Sequence, residues 1–218
     1  MNLFDIFLKG GVIMWAILLC SVIAFAVVID RFITLRRARI NVPAFIIRLR
    51  GFVKNKDMNG AISFCMQEKS PMANMVRKGL KKFNLGHERV KEAIENAGRQ
   101  EVSKLEKGLS ILATVAGVAP LLGFLGTVTG MIQAFMTIEE LAGAANPSDL
   151  AGGIWEALTT TAFGLIVGIP ALAFYNYFVN AVKKFVGDME TVANDVVDTV
   201  QDSARMQTDV DDEVEIEL

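Results

Sequence analysis

Three stretches of this chain, 10–29, 108–138 and 157–182, run for about 20 residues or more without a charged side chain. As helices rising 1.5 Å per residue, such runs are long enough to cross the ~30 Å hydrocarbon core of a bilayer. Lipid offers no partner to a backbone N–H or C=O, so each run is expected to be a helix that satisfies its own hydrogen bonds. The bland alternative, a core helix of a large soluble protein, needs shorter runs and a longer chain. The second run, ~45 Å long as a helix, exceeds the bilayer, so its first turns are expected to project into water. Pro120 and Pro170 fall inside the second and third runs; a membrane bundle tolerates them, and each is read as a kink.

The rest of the chain belongs in water. Of its 218 residues 52% are hydrophobic and 21% charged, with a mean hydropathy of +0.40, which suits neither a soluble domain nor a wholly embedded protein. The formal charge of -2 conceals unequal parts: residues 30–107 carry 18 Lys and Arg against 8 Asp and Glu, whereas 139–153 carries three acids and no base. By the positive-inside rule the long segment is cytoplasmic, and the N-terminus and the short loop are outside. Ala24-Phe25-Ala26 has the look of a signal-peptidase site, but Asp5 and Lys9 make a weak leader and cleavage would put the basic segment outside. Span one is therefore read as an uncleaved anchor facing lipid. The expected layout is a periplasmic N-terminus 1–9, span one 10–29, a basic cytoplasmic helical domain 30–107, span two with its lead-in 108–138, a short periplasmic loop 139–155, span three 156–182, a cytoplasmic helical extension 183–208 and an acidic tail 209–218.

Helical signals fill the segments between and beyond the spans. Pro43 opens a basic amphipathic run through Lys54, Ser70-Pro71 reads as an N-cap with proline at the first helical position, and Gly86 is expected to end that helix. From Glu88 on, Val90, Ile94, Ala97, Val102, Leu105, Leu109 and Leu112 keep helical spacing, so one continuous helix is expected from the cytoplasm into span two. Val182, Phe185, Val186, Met189, Val192, Val196 and Val200 extend span three in the same way. The fold class is an all-α membrane protein whose second and third spans continue as long helices into a cytoplasmic bundle. Dispersed bases without interleaved aromatics, next to a membrane, point to anionic lipid headgroups and not to nucleic acid.

Several chemistries lack their residues. His87 is the single histidine, the two cysteines lie far apart, and no phosphate-binding G-x-x-x-x-G-K-[ST] motif occurs. No metal site, disulfide framework, cofactor or enzyme activity is expected, since there is neither a nucleophile-elbow serine nor a ligand cluster.

The spans are not alike. Span one is uniformly apolar with Trp15, whereas the others carry Gly117, Gly123, Gly126, Thr127, Thr129 and Gly130, then Thr159, Thr160, Thr161, Gly164 and Gly168. Gly126-x-x-x-Gly130 and Gly164-x-x-x-Gly168 allow close helix approach, and a packing role suffices for them. A single membrane threonine usually bonds its own helix. Three in a row cover ~200° of helix surface, so at least one of Thr159, Thr160 and Thr161 is expected to face a polar cavity. Glu156 is the ionisable side chain that opens span three; it either takes part in function or caps the first turn of its helix. Thr161 lies ~7.5 Å deeper than Glu156, and nothing ionisable reaches the midplane. Hydroxyls alone line a proton path without completing it, so a partner helix is expected to bring the missing carboxylate.

Two stretches carry a specific likeness: APLLGFLGTVTGMIQAF at 119–135 and EALTTTAFGLIVGIPALAFYNYF at 156–178. Both resemble the ExbB/TolQ/MotA proton-channel family, and the three-span layout is similar to its ExbB/TolQ branch. The resemblance implies a homopentamer in the bacterial inner membrane that encloses a single-span ExbD/TolR-type subunit with a membrane Asp. It also implies that protons, with no cofactor, flow down the motive force and energise a TonB- or TolA-type protein reaching the outer membrane. By resemblance Thr127 and Thr161 are the pore threonines, with Thr160 beside them, and Glu156 is the acidic residue that opens span three. The competing reading from another class is a non-conducting membrane scaffold that uses its glycine faces for assembly alone.

Overall fold

The computed structural model describes residues 7, 10–55, 57–141 and 146–216, and for 147, 149 and 203–216 the backbone only. Seven α-helices, with no strand among the described residues, run in the order α1 (Gly11–Ala38), α2 (Val42–Lys54), α3 (Met58–Gln67), α4 (Pro71–Leu80), α5 (His87–Glu106), α6 (Leu109–Glu140) and α7 (Pro147–Ile216); a 3-10 turn at Phe83–Leu85 precedes α5. Three helical segments are long and apolar enough to cross a membrane, and they hold the three runs read from the sequence. Segment 1–9 lies, except for Phe7, outside the described residues. In the region expected as an acidic tail the backbone stays helical to Ile216.

The chain divides into two compact units. The first comprises 1–32 and 108–179, and so holds most of α1, all of α6 and the apolar half of α7. Within α1, Met14, Ile17 and Ala24 are buried while Val12, Trp15, Leu19, Val22 and Phe25 are exposed. That three-and-four spacing is a packing seam on a helix whose composition is greasy all round. One face of span one is thus committed to protein, which leaves only its other faces for the lipid contact expected from the sequence. Pro120 and Pro170 both sit inside unbroken helices.

The second unit comprises 33–107 and 180–218. Its core is assembled from Phe45, Leu49 and Val53 of α2, Ala61 and Cys65 of α3, Met72, Val76 and Leu80 of α4, and Val90, Ile94 and Ala97 of α5. Of the α7 positions that kept helical spacing in the sequence, Val182, Phe185, Met189, Val192, Val196 and Val200 are buried too, and Val186 is half-buried. Caps set the short helices: Asn41 accepts from the Ala44 N–H at 3.2 Å, Asp57 from Gly60 at 2.8 Å and Ser70 from Ala73 at 3.2 Å. Across the sequence, Arg50 of α2 is paired with Asp195 of α7.

Three expectations need correction. The helix that opens at Pro71 ends at Leu80 and not at Gly86, which follows the 3-10 turn and caps the start of α5. The helix expected to run unbroken into span two stops at Glu106, and α6 begins afresh at Leu109. Gly108 separates them in a left-handed conformation, φ 84°, that a side chain would oppose. Apolar spacing continues across this joint because both helices bury a face, so periodicity could not reveal it. The loop expected at 139–155 is also shorter: α6 keeps Glu139 and Glu140, and Pro147 opens α7, its missing N–H costing nothing at a first helical position.

Candidate functional site

In the first unit α6 and α7 meet along a face of small residues. Gly123, Gly126 and Gly130 recur at i, i+3 and i+7 on α6 and are all buried. A Cβ on Gly130 would stand 2.6 Å from the Gly153 carbonyl oxygen, and one on Gly164 would stand 2.7 Å from that of Ala119. A Cβ on Gly168 would press on Pro120 at 2.5 Å. The approaches at Gly130 and Gly164 are backbone-to-backbone and that at Gly168 is to the proline ring, the arrangement by which membrane helices gain dispersion contacts without a hydrophobic drive.

That proximity lets threonines of one helix reach carbonyls of the other. The Thr161 hydroxyl donates to the Gly123 carbonyl at 3.0 Å, and Thr127 Oγ1 lies 2.5 Å from Thr161 Oγ1. Each hydroxyl has one proton and two lone pairs, so the consistent sense is Thr127 to Thr161 to Gly123. Thr127 also approaches its own Gly123 carbonyl at 3.3 Å. Both side chains are half-buried. A hydroxyl chain of this kind relays a hydrogen bond between helices but holds no charge at neutral pH.

Thr160 is placed otherwise. It is fully buried, donates to its own helix at Glu156 O (2.9 Å) and Ala157 O (3.0 Å), and fills the hollow left by Gly126, where a Cβ would overlap its Oγ1. It is packed into the α6/α7 interface, whereas Thr127 and Thr161 are half-buried. Thr159 is buried as well. The Gly126 hollow accommodates the Thr160 hydroxyl, and Thr161 is the half-buried member of the three.

A cavity of about 680 Å³ does open between the far end of α6 and the start of α7, walled by Gln133, Thr137 and Glu140 on one side and by Trp155 and Glu156 on the other. None of the three consecutive threonines is in its walls. Glu156 is half-buried there, one helical turn and a little more from Thr161. Its neighbourhood holds two features that sequence reasoning missed: Glu140, at the other wall, and Gly11, whose Cβ would stand 2.9 Å from the Glu156 Cδ. Helical spacing of Gln133, Thr137 and Glu140 would have found the wall; no local signal pairs Gly11 with Glu156.

Comparison with known proteins fits this geometry. The model of the MotA/TolQ/ExbB proton channel family matches residues 67–191, more than half of the chain. A protein of Methanothermobacter thermautotrophicus named as an ExbB homolog is 28% identical over 86% of this chain and 67% of its own length. The biopolymer transport protein ExbB of Xanthomonas campestris is 37% identical over 54% of this chain, though that segment is only 46% of its own length. That of Neisseria meningitidis is 28% identical over 90% of this chain and 96% of its own. The matched region contains the glycine face, the Thr127–Thr161 pair and Glu156, and the chain, a multi-pass membrane protein, belongs to the MotA/TolQ/ExbB proton channel family.

Proposed function

We propose that this chain is the wall subunit of a proton-driven motor in the bacterial inner membrane, with its N-terminus in the periplasm. Five copies enclose a single-span ExbD/TolR-type partner, and the assembly energises a TonB- or TolA-type protein acting at the outer membrane. The observation that carries this reading is the Thr127–Thr161 hydroxyl pair, held by glycine-faced helices with Glu156 about 7.5 Å away along α7. Two hydroxyls and a peripheral carboxylate are a lining. The titratable carrier that a proton path needs at the midplane comes from the partner's membrane Asp, and the chain itself makes and breaks no covalent bond.

The test is proton flux into proteoliposomes in sodium-free buffer under an imposed potential. The chain alone is expected to pass few protons, and co-reconstitution with its single-span partner to raise the flux. Thr161→Ala and Glu156→Gln are expected to lower it about tenfold or more, as removal of one positioned group from a charge-transfer path does, with the complex still assembled. Full flux in both variants would sink the site assignment. A process that continues unchanged under a protonophore, with the complex intact, would favour the scaffold reading, which the glycine faces alone also satisfy.

A further inference from the structure

Glu156 has one side on the cavity between α6 and α7. Its other side meets the first turn of α1. A Cβ on Gly11 would overlap Glu156 Oε1 and stand 2.9 Å from Cδ and 3.5 Å from Oε2. Gly11 opens α1 with φ 65°, and Met14 and Ile17, both buried, fasten that turn in place. A Cβ on Gly10 would in turn overlap Met14 Cε. The N–H groups of a first turn lack intrahelical partners and carry the positive end of the helix dipole, which favours a carboxylate beside them.

Backbone conformation alone does not account for glycine here. At positive φ asparagine is also tolerated at low cost, but only glycine leaves the volume that the carboxylate occupies. We propose that Gly11 is a positioning residue for Glu156: the bare first turn of α1 fixes the carboxylate at the mouth between α6 and α7. The inference rests on the reading of Glu156 as part of the proton path, and it gives span one a task beyond anchorage.

The test uses the full chain co-reconstituted with its single-span partner, as wild type, Gly11→Ala and Gly11→Asn. Carbodiimide modification is followed by mass spectrometry at Glu156 with Glu140 as internal reference, alongside proton flux. Both variants are expected to change the Glu156 to Glu140 modification ratio about threefold or more and to lower flux roughly tenfold, the scale of effect when a positioned group shifts by ~1 Å. Wild-type labelling and flux in Gly11→Asn with a defect in Gly11→Ala would mean that Gly11 serves backbone conformation only, and overturns the proposal. Unchanged labelling in both variants overturns it too. Altered labelling with normal flux upholds the contact and removes Glu156 from the path. If neither variant assembles, Gly11→Ala is combined with Glu156→Asp, whose shorter side chain withdraws from the added methyl. Recovery of assembly supports the proposal, and continued failure overturns it.

Discussion

At the scale of single residues, the α6/α7 interface turns on which glycines touch backbone and which do not. Alanine at Gly164 would bring its methyl to 2.7 Å from the Ala119 carbonyl oxygen and 3.0 Å from the Gly123 Cα, atoms of a helix that cannot step aside. Overpacking of this kind costs about 1–3 kcal/mol, so Gly164→Ala should lower the thermal midpoint in detergent and loosen the Thr127–Thr161 pair. Gly117 has nothing within 4 Å of its Cβ position, and Gly117→Ala should leave the midpoint unchanged or raise it, since alanine is favoured over glycine by roughly 0.5–1 kcal/mol in a helix interior. Equal midpoints for the two variants would show that the glycine face is not where the helices are held.

Cys65 gives a second residue-level test, in the second unit. Burial pushes its thiol up from 9.0 to about 12, with nearby Arg77 acting the other way. The group is protonated in both states below pH 9. Between pH 9 and about 12 the unfolded chain loses the proton first, so stability falls with rising pH across that window, by at most about 1.4 kcal/mol per pH unit. Lysines and tyrosines titrate there too, so the measurement is the difference between wild type and Cys65→Ala, which should show a shallower alkaline decline. The same burial should keep Cys65 unreactive to iodoacetamide at pH 8 until the protein unfolds.

At the scale of elements, the helices were legible because each leaves a period or an uncharged length in the sequence, and the caps because Ser70 and Pro71 have local jobs. Ser70 is 2% exposed and its hydroxyl accepts the Ala73 N–H. Ser70→Ala should therefore cost about 1 kcal/mol or more, as a lost N-cap that also strands a buried donor does, read as a lower midpoint of helix loss by circular dichroism. What was not legible needed tertiary information. The Gly108 joint hides under continuous apolar spacing, Thr160 sinks into a hollow that only the neighbouring helix defines, and the Gly11–Glu156 contact joins the starts of the first and third spans. The glycine spacing on α6 announced a close helix contact, but which hydroxyl would reach across it depended on the register between two helices.

At the scale of the whole molecule, the proposed direction of the chain in its membrane rests on the charge distribution. The 18 bases of residues 30–107 against 8 acids, and the base-free stretch 139–153, support the proposed orientation, in which the turn after α2 faces the cytoplasm and the turn after α6 the periplasm. Asn55 and Leu141 mark those two turns, and both are exposed. Single-cysteine variants Asn55→Cys and Leu141→Cys, in a chain whose Cys20 and Cys65 are replaced by alanine, should react oppositely with a membrane-impermeant maleimide on intact spheroplasts. Leu141→Cys should label at once, and Asn55→Cys only after the membrane is permeabilised. The reverse pattern would invert the orientation. Glu156 and the cavity beside Glu140 would then open to the cytoplasm, and on the proposed function protons driven inward by the motive force would leave on the Glu156 side instead of entering there.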